Sequence, residues 1–151
     1  MNRQLPWVVL CAAAAVLLGG GVRAEDWPAY GRDATRNPVS PEKDPPTDWR
    51  VPPRDDAGPA AEPGRNVKWE ARLGSQASGS PVVAGGLVWV CTNDEARRDP
   101  AFDKDAGVLA CFDERDGAFL WQHLTPRVGD RIHDWPHTSV SSPPLVEGDR
   151  L

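Results

Sequence analysis

The constraint that most limits this chain lies in residues 78–121, where apolar runs of four to seven residues are cut at short intervals by Gly-containing turns. Ser80-Pro81-Val82-Val83 leads into the turn Ala84-Gly85-Gly86, and Leu87-Val88-Trp89-Val90-Cys91-Thr92 follows as a second run. A polar interruption separates this from Val108-Leu109-Ala110-Cys111-Phe112. The corner Asp113-Glu114-Arg115-Asp116-Gly117 then precedes Ala118-Phe119-Leu120-Trp121-Gln122-His123-Leu124. Runs of this length, rich in Val, Leu, Trp and Phe and bounded by Asp and Gly, read as antiparallel strands joined by hairpins. With 16 Pro and 14 Gly in 151 residues and no sustained helical periodicity after residue 24, the expectation is an all-β fold with little helix. Four such strands in about 45 residues form a unit of the size of a β-propeller blade.

The amino terminus has a different character. Arg3 precedes the apolar run from Leu5 to Leu18, then three glycines, then Val22-Arg23-Ala24. A positive end, a short apolar core and small residues before a cut after Ala24 describe a secretory signal peptide over residues 1–24. The rival, a membrane anchor, is disfavoured because the run is shorter than the ~20 residues that cross a bilayer. Removing the segment leaves 15 basic against 22 acidic residues, a formal charge of −7. A mildly acidic exported chain has no electrostatic reason to bind nucleic acid or anionic lipid, and no membrane span is expected in the mature chain.

Residues 25–40 carry Trp27 and Tyr30 without any period and read as an ordered arm, both aromatics buried against the fold. Residues 41–65 hold seven prolines among charged side chains and read as a linker without a core. Order resumes at residue 66: Val67, Trp69, Ala71 and Leu73 alternate with polar residues as one face of a half-buried strand.

That segment resembles residues 120–124, and the comparison exposes a repeat. Ser78-Gly79-Ser80-Pro81-Val82-Val83-Ala84-Gly85-Gly86 realigns 63 positions later on Ser141-Ser142-Pro143-Pro144-Leu145-Val146-Glu147-Gly148-Asp149, whereas Trp69 realigns with Trp121 at 52. The second copy therefore holds an insertion of 11 residues, in which His133-Asp134-Trp135-Pro136-His137 lies. Units of this kind bury their faces only against neighbours, so residues 66–151 read as a first blade and the start of a second, and the chain as the amino-terminal piece of a longer propeller.

Cys111-Phe112-Asp113-Glu114-Arg115-Asp116-Gly117-Ala118-Phe119-Leu120-Trp121 resembles the tryptophan-docking repeat of pyrroloquinoline-quinone-type (quinoprotein-like) β-propellers. In that repeat Asp and Gly make the corner and Trp stacks between blades. Cys111 stands where Ala is usual and Asp116 where Thr is common. The arm from Asp26 onward is similar to the leader of large exported propeller proteins of this class in planctomycete-type bacteria. The resemblance implies structural roles for Asp113, Gly117, Trp121 and Trp69, and the remaining blades as partners. Family members include quinone-dependent alcohol and sugar dehydrogenases and a non-catalytic outer-membrane assembly lipoprotein, so the fold leaves activity open. Pyrroloquinoline quinone and calcium enter as cofactors through the resemblance alone.

Candidate chemistry is sparse. His133 and His137, with Asp134 between them, form a weak metal-site candidate, because Pro136 precludes the helix that would aim both imidazoles at one ion. The insertion holding them is the best functional guess. Residues 93–105 offer carboxylates for calcium but lack the Asp-x-Asp-x-Asp-Gly spacing and include Arg97, Arg98 and Lys104, so a solvated hairpin loop is expected. Cys91 and Cys111 are expected opposite Ala110 and Val90, on different faces, as two small buried thiols. No haem, nucleophile-elbow or phosphate-loop motif is present. The leading expectation is an exported binding or assembly module with an unassigned protein or small-molecule ligand. The alternative is a periplasmic quinone-dependent dehydrogenase whose active site lies beyond residue 151.

Overall fold

The computed structural model describes residues 25–51, 64–128 and 140–151. They form an all-β structure with one open antiparallel sheet in the order β1 (Val82–Ala84), β2 (Leu87–Asn93), β3 (Ala106–Asp113), β4 (Phe119–Pro126). Helix among the described residues is confined to one 3₁₀ turn at Asp94–Ala96, and none of it is long or apolar enough to cross a membrane. Residues 1–24, 52–63 and 129–139, which include the expected signal peptide, part of the linker and the His133 to His137 loop, lie outside the described residues.

The strands form where β-branched and aromatic residues cluster. Gly85 and Gly86, with φ of 60° and 84°, make a two-residue turn in which both central residues need positive φ, the requirement that selects glycine there. β2 is buried along all but its first residue. One of its faces carries Val88 and Val90, which pack with Val108, Ala110 and Phe112. The other carries Trp89, packed with Val82, Ala84 and Cys111. The segment at 66–73, expected as a strand, pairs with no described strand. It lies over the first face and sets Trp69, Ala71 and Leu73 on the core. The alternation was a sound guide to burial, but burial here comes from side chains on a face and not from a ladder.

Two further expectations need correction. Cys91 pairs with Leu109, and Cys111 with Trp89, one residue away from the expected register. Because directly opposed residues share a face and side chains alternate along a strand, both cysteines lie on the Trp89 face. They are diagonal neighbours, and a diagonal separation of roughly 7–8 Å is too long for a disulfide without backbone movement. Both remain free and buried. Tyr30, expected to be buried, is 67% exposed, whereas Trp27 is half-buried and forms an antiparallel bridge with Val83 on the free edge of β1.

A bulge between Cys111 and Phe112 shifts the β3–β4 register, so that Phe112 faces Phe119 while Cys111 faces Trp121. Without it Phe119 and Trp121 would share a face. Phe119 instead meets Phe112 edge-on at 5.9 Å, on the side covered by Trp69, and Trp121 turns to the other side. At the linker, Arg50 and Arg65 exchange two backbone hydrogen bonds of 3.0 and 2.9 Å, which brings a point within the proline-rich stretch back to its carboxy-terminal end.

Burial pushes both thiol pKa values up, which leaves little thiolate at neutral pH. A disulfide reagent should therefore leave both cysteines of residues 25–151 unmodified in the native protein and titrate both in guanidinium. Loss of two hydrogens in the intact mass of the oxidised protein would contradict this geometry.

Candidate functional site

Hydrogen bonds converge at the corner between β3 and β4. Asp113 accepts from the Arg115 backbone N–H at 2.8 Å and, through both oxygens, from Arg115 Nε at 3.0 Å and Nη2 at 2.7 Å. Asp116 accepts from the Ala118 N–H at 2.9 Å, the local bond that makes Asp favourable in turns. Gly117 donates to the Asp113 carbonyl at 2.9 Å, and Glu114 N–H reaches the Gly86 carbonyl at 3.0 Å, joining this corner to the β1–β2 turn.

Trp69 sits on that corner. Its Nε1 donates to the Glu114 carbonyl at 2.8 Å, and its ring lies 6.3 Å from that of Phe112. A Cβ placed on Gly117 would come within 2.6 Å of the indole Cδ2, and Gly117 has φ of 73°. Two independent demands thus fall on one residue: left-handed backbone and no side chain beneath the indole. Three of the four residues singled out for the repeat, Asp113, Gly117 and Trp69, meet here. Trp121 does not join them. It lies on the opposite face, 41% exposed, in the cross-strand row Val82, Trp89, Cys111, Trp121.

No family model, curated protein or solved structure matches this chain. The chemistry must therefore be read from the residues.

The 93–105 connection is only partly solvated, contrary to expectation. Asn93 is fully buried, caps the 3₁₀ turn by accepting from Glu95 N–H, and donates through Nδ2 to Ser75 Oγ at 3.1 Å. Asp94 is buried and paired with Arg97 at 2.7 Å, and Asp105 is paired with Arg127 at 3.0 Å. Arg98 donates to the Arg72 carbonyl and lays its guanidinium over Phe119 at 4.7 Å and Phe112 at 5.5 Å, a cation–π arrangement that closes the end of the aromatic cluster. Asp94, Asp99 and Asp105 are thus engaged with local cations and N–H groups. Among the described residues no group of three or more His, Cys, Asp or Glu side chains is placed to hold a metal ion. His133, Asp134 and His137 lie outside them.

Trp89 was not anticipated as a special residue. It is 7% exposed, its Nε1 has no hydrogen-bond partner, and it lines an open groove of about 540 Å³ with Trp121, Leu87, Pro28 and Val146. The uninterrupted apolar run of β2 was the available signal, since a strand that does not alternate is buried on both faces.

Gly117→Ala should lower stability by about 2–4 kcal/mol, through backbone strain and displacement of Trp69. Gly85→Ala, where φ is also positive but no atom lies within 4 Å of the added methyl, should cost only about 1 kcal/mol. Equal losses in urea denaturation would mean that the indole seat contributes nothing. Arg115, by its hydrogen bonds and charge, holds the Asp113 carboxyl at about 2, below its ordinary 3.8. Because the folded value is depressed, its contribution is fully present above 3.8 and is lost as pH falls through about 2. In Arg115→Gln, carbon NMR titration of Asp113 should show its midpoint returning toward 3.8.

Proposed function

We propose that this chain belongs to an exported quinoprotein-like β-propeller repeat protein that acts as a binding or assembly module, with the four-stranded sheet as its first blade. The observation that carries this reading is the seat of Trp69 on Gly117, with the indole N–H bonded to the Glu114 carbonyl. A corner of the form Asp-x-x-x-Gly with a tryptophan from a preceding segment pressed onto its glycine is what a docking repeat requires. Trp121, 52 residues after Trp69, then serves the next unit in the same way. The remaining blades are the partners of the exposed β4 and of Trp121. Ligand recognition falls to the loops, since the strand faces are used in packing.

Two measurements on the full-length protein test the reading. Trp121→Ala should destabilise it by about 3 kcal/mol or more, as truncation of a buried tryptophan does. A loss below about 0.5 kcal/mol, which is what an exposed surface residue gives, would remove the propeller assignment. Separately, pyrroloquinoline quinone and calcium should support no dye reduction with a panel of alcohols and sugars. Turnover that depends on both would replace the binding-module reading with a dehydrogenase.

A further inference from the structure

Each of the first four residues after the expected cut is bonded to residues distant in the chain. The Glu25 nitrogen donates to Glu42 Oε1 at 2.7 Å, and Glu25 Oε1 accepts from Arg32 Nη2 at 2.9 Å. Asp26 Oδ2 accepts from Gly85 N–H at 3.1 Å. Trp27 exchanges two backbone bonds with Val83, at 2.5 and 3.0 Å, and the Pro28 carbonyl accepts from Val146 N–H at 2.9 Å. Val83 and Val146 are the same position in the two copies of the repeat, 63 residues apart. Residues 25–28 therefore join the first strand of one copy to its counterpart in the next. One atom at this junction is left over: Glu25 Oε2 is buried and has no hydrogen-bond partner.

We propose that residues 25–28 form a clasp that is completed by removal of the leader, with Glu42 as the acceptor for the chain's own free amino terminus. This rests on the export reading above. In the cleavage, water adds to the Ala24 carbonyl carbon and the Ala24–Glu25 C–N bond breaks. Ala24 leaves as a carboxylate, and the Glu25 nitrogen takes up protons to become an α-ammonium. One neutral N–H donor becomes a cation with three. The bond to Glu42, whose carboxylate already makes it charge-assisted, gains a cationic donor and becomes an ion pair. The added N–H groups arise on the residue whose Oε2 lacks a donor. Arg32 is the cation at this site and is already committed to Glu25 Oε1 and, at 2.8 Å, to the Val39 carbonyl. Anchoring Glu25 thus restrains the three residues that follow it, which are bonded to Gly85, Val83 and Val146.

The test uses the full-length exported protein and three variants: Glu42→Gln, a chain with one alanine added before Glu25, and both changes together. Amino-terminal sequencing should begin at Glu25. A start elsewhere would overturn both the clasp and the assumed cut. With the start at Glu25, an amine-acylating reagent near neutral pH should label Glu42→Gln about threefold faster than the unaltered protein, equivalent to half a unit in amine pKa. Hydrogen exchange at Val83 and Val146 should rise together, by a similar factor, in each single variant and no further in the double. Unchanged labelling and exchange with the correct start would overturn the clasp and leave export intact.

Discussion

The fold depends on a single strand that is apolar on both sides. β2 buries six of its seven residues, so neither face can be left to solvent, and a sheet of four strands supplies no cover of its own. The covers come from outside it. Residues 69–73 lie over Val88 and Val90, while Val146 packs over the Trp89 face. Each cover is pinned by polar contacts at its margins: Thr92 Oγ1 accepts from Gly74 N–H at 3.0 Å and donates to the Gln76 carbonyl at 2.8 Å, and Val146 is held by Pro28. A two-faced strand therefore makes the flanking segments obligatory.

Each of those flanking segments has its repeat counterpart in the sheet, Trp69 in Trp121 of β4 and Val146 in Val83 of β1, and the repeat appears in backbone conformation as well as in sequence. Gly85 and Gly148 both have φ of 60° and both open a tight turn: Ala84 pairs with Leu87 across the first, and Glu147 with Arg150 across the second. Trp69 and Trp121 lie on opposite faces of the sheet, one seated on Gly117 and the other lining the groove beside Trp89. The segment that carries Trp69 precedes the sheet in the chain yet covers one of its faces, so the sheet is not stable by its own strands alone.

Much of the sheet was legible. All four strands lie within two residues of the runs that predict them, because Gly85-Gly86 and Asp113 to Gly117 fix the corners by backbone chemistry. What was not legible involved distance in the chain. The β2–β3 register differs by one residue, since the long connection between the strands sets no register in the way a two-residue turn does, and the error moved Cys91 and Cys111 to opposite faces. The bulge that divides Phe119 from Trp121 has no glycine to announce it. Arg98 reads as a surface charge until Phe112 and Phe119 are seen beneath it. At the corner, the sequence pattern identified Asp113, Gly117 and Trp69, but the Nε1 bond to Glu114 and the demand on Gly117 come only from the three-dimensional contact.

The two ends of the sheet are unlike. At one end both connections are short, tied to each other through Glu114 and Gly86, with Trp69 seated on the corner. At the other end β2 and β3 are joined by the long connection through Asp94 to Asp105. There Ala106 pairs with Pro126, and Arg127 bonds to Asp105 through both its backbone N–H, at 2.9 Å, and its guanidinium. The chain thus leaves β4 from the same end as that connection. Packing residues dominate the short-turn end, where a longer loop would unseat Trp69. The opposite end accepts length and charge without disturbing the core, and it is there that a repeat built mainly for packing can vary its chemistry.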